Sequence, residues 1–184
     1  MGYEIFISYS NVDKVIADAI CSHLEAERFR CWIAPRDVMA GRVWAESIVE
    51  ALNQVSIMVL VFSQNSNSSK QVVLEVERAV AKGISIVPFR IEDCKPTLAM
   101  EYFVSSAHWL DAIDPPVEAH IRKLVVAIRG LVSLGRPTPP PPQHADVASD
   151  QKFVREFQEI APDDWNRGSQ NFITRFFRNL LDER

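Results

Sequence analysis

The six residues Ile57 to Phe62 read Ile-Met-Val-Leu-Val-Phe, without a polar side chain among them. A strand with one wet face alternates polar and apolar residues. An unbroken run of this length therefore belongs to a strand covered on both faces, as in a parallel sheet sandwiched between helices. Related runs recur at Glu4–Tyr9, Cys31–Ile33, Ile84–Ile91 and Ala107–Leu110. Between them, apolar residues return at helical spacing: Val15, Ile16, Ala19, Ile20 and Leu24, then Trp44, Ile48, Ala51, Leu52 and Val55. Val72, Val73, Val76, Ala79 and Val80 follow, with Gly83 as the helix stop, and Ile121, Leu124, Val125, Ile128, Leu131 and Val132 close the series. Cys94 to Ser106 reads as irregular or weakly helical. The alternation predicts an α/β fold over residues 3–134, a flavodoxin-like five-stranded parallel sheet with about five helices on its two faces. Pro88 is the one awkward residue, because proline in a strand belongs at an edge or near an end.

The 184 residues suffice for one full domain and an appendage. Gly135 to Gln143 is rich in proline and marks a semi-rigid linker, giving a main domain at 1–134, a linker at 135–149 and a tail at 150–184. Phe153, Val154, Phe157 and Ile160 predict one short tail helix stopped by Pro162. A second, opened by Ser169 or Asn171, has Phe172, Ile173, Phe176, Phe177, Leu180 and Leu181 on one face. Burying each such side chain fully is worth about 1.5–3 kcal/mol. The tail must therefore dock on the main domain, on another copy, or on a segment beyond Arg184, where a longer natural chain would continue.

Net charge is −4, and no block of like charge stands out, which disfavours nucleic-acid and membrane-surface roles. No apolar run approaches the roughly 20 residues that span a bilayer, and no secretory signal is legible at the N-terminus. Cys21, Cys31 and Cys94 lack metal-ligand or disulfide-framework spacing, as do the four histidines, so reduced thiols and a cytoplasmic location are expected.

In open parallel sheets, ligands sit in the crevice beyond the carboxyl ends of the strands. After Phe62 come Ser63 and a polar Ser/Asn loop, then a helix that carries Glu75 within its first two turns. That carboxylate is a candidate for chemistry, or an ordinary surface Glu near a helix N-terminus. Glu77 is turned about 200° away and is read as a surface residue. Tyr9 and Ser10 follow the first strand into the same crevice, Ser10 also serving as a turn or helix cap.

Four stretches in register resemble a Toll/interleukin-1 receptor (TIR) domain of the bacterial type. Phe6-Ile7-Ser8-Tyr9-Ser10 with Asp13 is similar to the family's first box. Cys31-Trp32-Ile33-Ala34-Pro35-Arg36-Asp37-Val38 with Gly41 and Trp44 is similar to the second, the BB loop. Phe62-Ser63, Ser68-Ser69, Val72 and Glu75 resemble the segment that carries the catalytic glutamate of NAD-cleaving members, and His108-Trp109-Leu110-Asp111 resembles the last strand. The resemblance runs from residue 3 to about 133 and leaves out the tail.

It implies an NAD+ nucleosidase, hydrolase or cyclase, that releases nicotinamide with ADP-ribose or a cyclic isomer in bacterial immune (antiphage) signalling. NAD+ is then a substrate and no cofactor is expected. Glu75 takes the catalytic place, stabilising oxocarbenium character at the ribose. Tyr9, Ser10, Arg36, Asp37, Gly41, Trp44, Ser63 and Gln71 are the candidate substrate-binding residues. Arg36 and Asp37 read equally as a loop-surface pair, and Trp44 as core. Gln71 departs from relatives that carry a stacking tryptophan one turn before the glutamate, so an aromatic wall must come from Trp44 or from a neighbouring subunit. The family often completes its site by self-association through the BB loop, Ala34–Gly41. The alternative reading is a non-catalytic TIR–TIR interaction module, or an effector interfering with host TIR signalling. A receiver domain is excluded by Ser8-Tyr9-Ser10 and Phe62-Ser63 where acidic residues are required, and no GxGxxG or P-loop occurs.

Overall fold

The computed structural model describes residues 2–39, 41–133 and 147–160. Five strands form one sheet in the order β2-β1-β3-β4-β5, with every neighbouring pair parallel. They are β1 (Ile5–Ser8), β2 (Cys31–Ile33), β3 (Ile57–Phe62), β4 (Ser85–Arg90) and β5 (Leu110–Asp111). The helices are α1 (Lys14–Ala26), α2 (Trp44–Leu52), α3 (Gln64–Ser68), α4 (Lys70–Ala81), α5 (Leu98–Val104), α6 (Val117–Ser133) and α7 (Val147–Ile160). A single 3-10 turn, Asn11–Asp13, leads into α1.

Strand parity sorts the core into two layers. Phe6, Met58, Leu60 and Phe62 face α2, α4, α5 and α7. Ile5, Ile7, Val59 and Val61 face α1 and α6. All six residues of β3, the central strand, are buried, as its unbroken apolar run requires. Trp32 stacks on Phe6 across the β1–β2 pair, with centroids 4.7 Å apart.

Helix α4 ends as the sequence predicts. Gly83 lies at φ +67°, a region that disfavours a Cβ. Its N–H donates to Val80 O and that of Ile84 to Ala79 O, the paired bonds of a Schellman motif.

Elsewhere the structure departs from the periodicity. Val15 is 82% exposed, and the inward stripe of α1 is Ala17, Ile20, Cys21 and Leu24. The 3-10 turn before Lys14 resets the phase of the helix. Val80 is exposed on α4, where Arg78 takes an inward position instead. The stretch from Cys94 contains a true helix, α5, capped by the Thr97 hydroxyl accepting from Met100 N–H. The last strand is Leu110–Asp111 rather than 107–110. Trp109, just ahead of it, packs edge-on against Phe62 and donates to Val104 O, so this stretch packs before it pairs.

Because β5 pairs only with Phe89 and Arg90, the outer edge of β4 from Ser85 to Pro88 has no neighbouring strand among the described residues. Pro88, which lacks an N–H for a ladder, sits in that open stretch.

Helix α7, part of the predicted tail, starts at Val147, inside the span read as linker, and docks on the main domain against α2 and α4. Phe153 and Phe157 enter the core. Arg78 on α4 pairs with Asp150, donates to Ser149 Oγ and lies over the Phe153 ring. The rest of the linker and the second tail helix fall outside the described residues.

Candidate functional site

The carboxyl ends of β1 and β3 open toward the N-terminal turns of α4. Ser69 caps that helix, its side chain accepting from Val72 N–H. The inward stripe that follows is Val72, Glu75, Val76 and Ala79. A carboxylate thus stands where the helical pattern calls for an apolar residue. Glu75 is only 8% exposed. Burial pushes its carboxyl up from 4.5 to about 7, opposed by a hydrogen bond from the Ser8 hydroxyl, Oγ to Oε2 2.6 Å. Among the described residues the other oxygen, Oε1, has no hydrogen-bond partner. Keeping a carboxylate in such a place opposes folding, and groups so perturbed cluster where chemistry is done.

Ser8 did not stand out in the sequence. It ends β1 opposite Leu60, with the same parity as Phe6, and so projects onto the face that α4 covers. That parity is the clue that could have found it.

A second buried carboxylate lies nearby. Asp13, part of the stretch similar to the first TIR box, accepts from Ser63 Oγ at 2.6 Å. Burial raises its proton affinity, and the bonds from Ser63 and Asn65 lower it. Ser63, expected to meet ligand, is fully engaged. Its oxygen accepts from Ser66 N–H at 3.1 Å while its own N–H donates to Ser66 Oγ, a capping box at the start of α3. Ser63→Ala should therefore cost about 1–3 kcal/mol through the lost cap and the stranded carboxylate. Urea titrations should find the deficit largest at neutral pH, shrinking as Asp13 takes up its proton in acid.

The other predicted residues divide between the crevice and the BB loop. Tyr9 donates its hydroxyl to Ala34 O, linking the end of β1 to the root of the loop. Its phenol is raised by burial and by the charges of Asp18 and Glu75. Ser10 receives the Asp13 N–H on its carbonyl at 2.7 Å, and its side chain makes no capping bond. Gln71, one turn before Glu75, is half-buried, with a sealed Nε2 that has no hydrogen-bond partner among the described residues. Trp44 begins α2 and packs on the core layer that holds Val72 and Val76.

Arg36 and Asp37 act on the loop itself. Arg36 pairs with Asp37 and Glu25, each at 2.8 Å, and donates to Cys31 O at 2.9 Å. Asp37 accepts from Ile33 N–H at 2.8 Å. The pair folds the loop back on α1 and β2. Gly41 is exposed at φ +84°, where other residues are strained. On either side of it, the loop leaves Met39 62% exposed and Val43 partly so.

Two clefts lie away from Glu75. One of about 640 Å³ runs along the open edge of β4, walled by Ile84, Ile86, Phe103, Ala107 and Leu131. The other, about 570 Å³, separates α2 from α7.

A family model described as TIR domain matches residues 5–125. The TIR domain of the Toll-related receptor TRR-2 from Hydra magnipapillata is similar, with 23% identity and a TM-score of 0.55 over 69% of this chain and 98% of that one. A TIR-STING receptor from C. gigas, solved in complex with 2′,3′-cGAMP, is similar at 22% identity and a TM-score of 0.52, over 67% of this chain and 39% of that one. No curated protein matches the chain. Both structures share the fold, and with the family model spanning all five strands the chain belongs to the TIR domain family.

Proposed function

We propose that this TIR domain is an NAD+ nucleosidase in immune (antiphage) signalling, with Glu75 as its catalytic group and activity that depends on self-association. The observation that carries the reading is the Glu75 carboxylate itself. It is buried, raised to about 7, and held by Ser8 on one oxygen while the other is without a partner among the described residues.

The reaction suits these groups. Nicotinamide leaves NAD+ as a neutral molecule, so no strong general acid is needed. Positive charge develops on the ribose, and an adjacent carboxylate in a dry site stabilises it far more than it would in water. Oε1, without a partner among the described residues, is the atom that would meet the sugar or its hydroxyls. Only ionised Glu75 serves, so the rate should rise with pH through the region near 7 and level off above it.

Three features support dependence on assembly. Glu75 is nearly sealed, neither cleft reaches it, and Gln71 offers no aromatic face. The BB loop follows β2 at one edge of the sheet and exposes Met39, while an apolar cleft lines the open flank of β4 near the other edge. A loop that fits a cleft on the far side of the next copy makes a head-to-tail contact, which propagates into rings or filaments. The neighbour can then widen the crevice and supply the stacking surface.

The test is chromatographic. Incubation with NAD+ should yield nicotinamide with ADP-ribose or a cyclic isomer, and turnover per molecule should climb with protein concentration. Met39→Asp should lower turnover at least tenfold at a fixed concentration without lowering the melting temperature. Self-association with no nicotinamide released at any concentration would favour the non-catalytic interaction module instead.

A further inference from the structure

We infer that Ser8 is a positioning residue for Glu75: its hydroxyl fixes Oε2 and leaves Oε1 turned to the substrate. The inference rests on the nucleosidase reading for its consequence in turnover, but its geometry stands alone. Ser8 is 1% exposed at the last position of β1, where the sheet register holds it opposite Leu60. Its Oγ lies 2.6 Å from Glu75 Oε2, a distance usual for a charge-assisted bond. A serine hydroxyl has a single proton to donate, and here it goes to this carboxylate.

The surroundings leave Ser8 as the specific partner. Just after β1, the Tyr9 phenol feels the charge of Glu75 but gives its own proton to Ala34 O. Arg78, on the same helix, is turned to Asp150 of α7, and Arg90 of β4 is paired with Asp111. Lys70 and Glu77 on α4, Glu101 and Tyr102 on α5, and Lys152, Arg155 and Glu159 on α7 are exposed, and Lys152 pairs with the half-buried Glu156. Helix α3 carries no ionisable side chain. Burial raises the proton affinity of Glu75 and the Ser8 hydroxyl lowers it.

A neutral donor to a carboxylate favours the charged form. Losing this charge-assisted bond moves the titration midpoint of Glu75 up by about one to two pH units. From a starting point near 7, the ionised fraction at pH 7 then falls about five- to fifty-fold. A role confined to packing would leave that midpoint where it is.

The experiment follows the Glu75 carboxyl directly, by carbon-13 NMR of protein labelled at glutamate Cδ, with Glu75→Gln to assign the resonance. NAD+ turnover is profiled against pH on the same samples. Ser8→Ala should raise the midpoint by one to two units and carry the acid limb of turnover with it. Ser8→Cys keeps the volume with a weaker donor and should move both part of the way. Wild-type midpoints in the two variants would overturn the inference, whatever the turnover. A shifted midpoint in a chain that never cleaves NAD+ would instead sink the nucleosidase reading and leave Ser8 as the group that holds Glu75.

Discussion

Glu75→Gln should be more stable than the wild-type chain at pH 8, by up to roughly 3 kcal/mol. The carboxyl is raised from 4.5 to about 7 in the folded state, a difference of 2.5 units. At about 1.36 kcal/mol per unit, that is the free energy by which folding opposes its ionisation. The sign follows from proton counting. Between about 4.5 and 7 the folded chain holds more protons than the unfolded one, so wild-type stability falls as pH rises through that window. Above it the full penalty applies, and below about 4.5 it vanishes. Glutamine has no charge to desolvate, and its carbonyl oxygen can still accept from Ser8. Urea unfolding at pH 8 and pH 4 should therefore find the variant ahead at the first and level at the second. A variant weaker than wild type at both would mean that the carboxylate serves the fold. A group that costs stability is retained where function needs it.

Phe157→Ala should cost about 3–5 kcal/mol. The ring is 1% exposed, packs on Phe153 with centroids 5.6 Å apart, and joins the core layer of α2 and α4. Its removal leaves a void between elements that the Arg78–Asp150 pair and the Arg78–Phe153 contact also hold together. The TIR match ends at residue 125, so this helix lies beyond the matched span and still packs into the core. Equilibrium denaturation of Phe157→Ala and Phe153→Ala should show both midpoints lowered. A loss below about 1 kcal/mol for both would mean that α7 stands off the domain in solution, since surface changes rarely exceed ±0.5 kcal/mol.

Apolar runs made the sheet legible because a doubly covered strand has no other way to be written. Ile57–Phe62 is a strand to the residue. What failed was short-range: β5 pairs at only two residues, α5 hides within a stretch of mixed character, and a 3-10 turn sets the phase of α1. At the candidate site, Glu75 stood out as a candidate from its place after a central strand and from the TIR resemblance. The rest depends on which way hydroxyls and carboxylates point. Ser63 turned to Asp13 and its own helix cap, Arg36 and Asp37 to the loop's root, and Ser8 to Glu75. No spacing rule fixes such choices, because each is a contact between elements far apart in sequence.

In the proposed reaction the buried carboxylate of Glu75 stabilises the ribose as the nicotinamide–ribose bond breaks. The direct measurement is nicotinamide release from NAD+ by wild-type protein and Glu75→Gln side by side, across protein concentrations that reach self-association. Release by the wild type, rising with concentration and reduced at least a hundredfold in the variant, is the expected result. Equal release by both, or none by the wild type even when assembled, would contradict it.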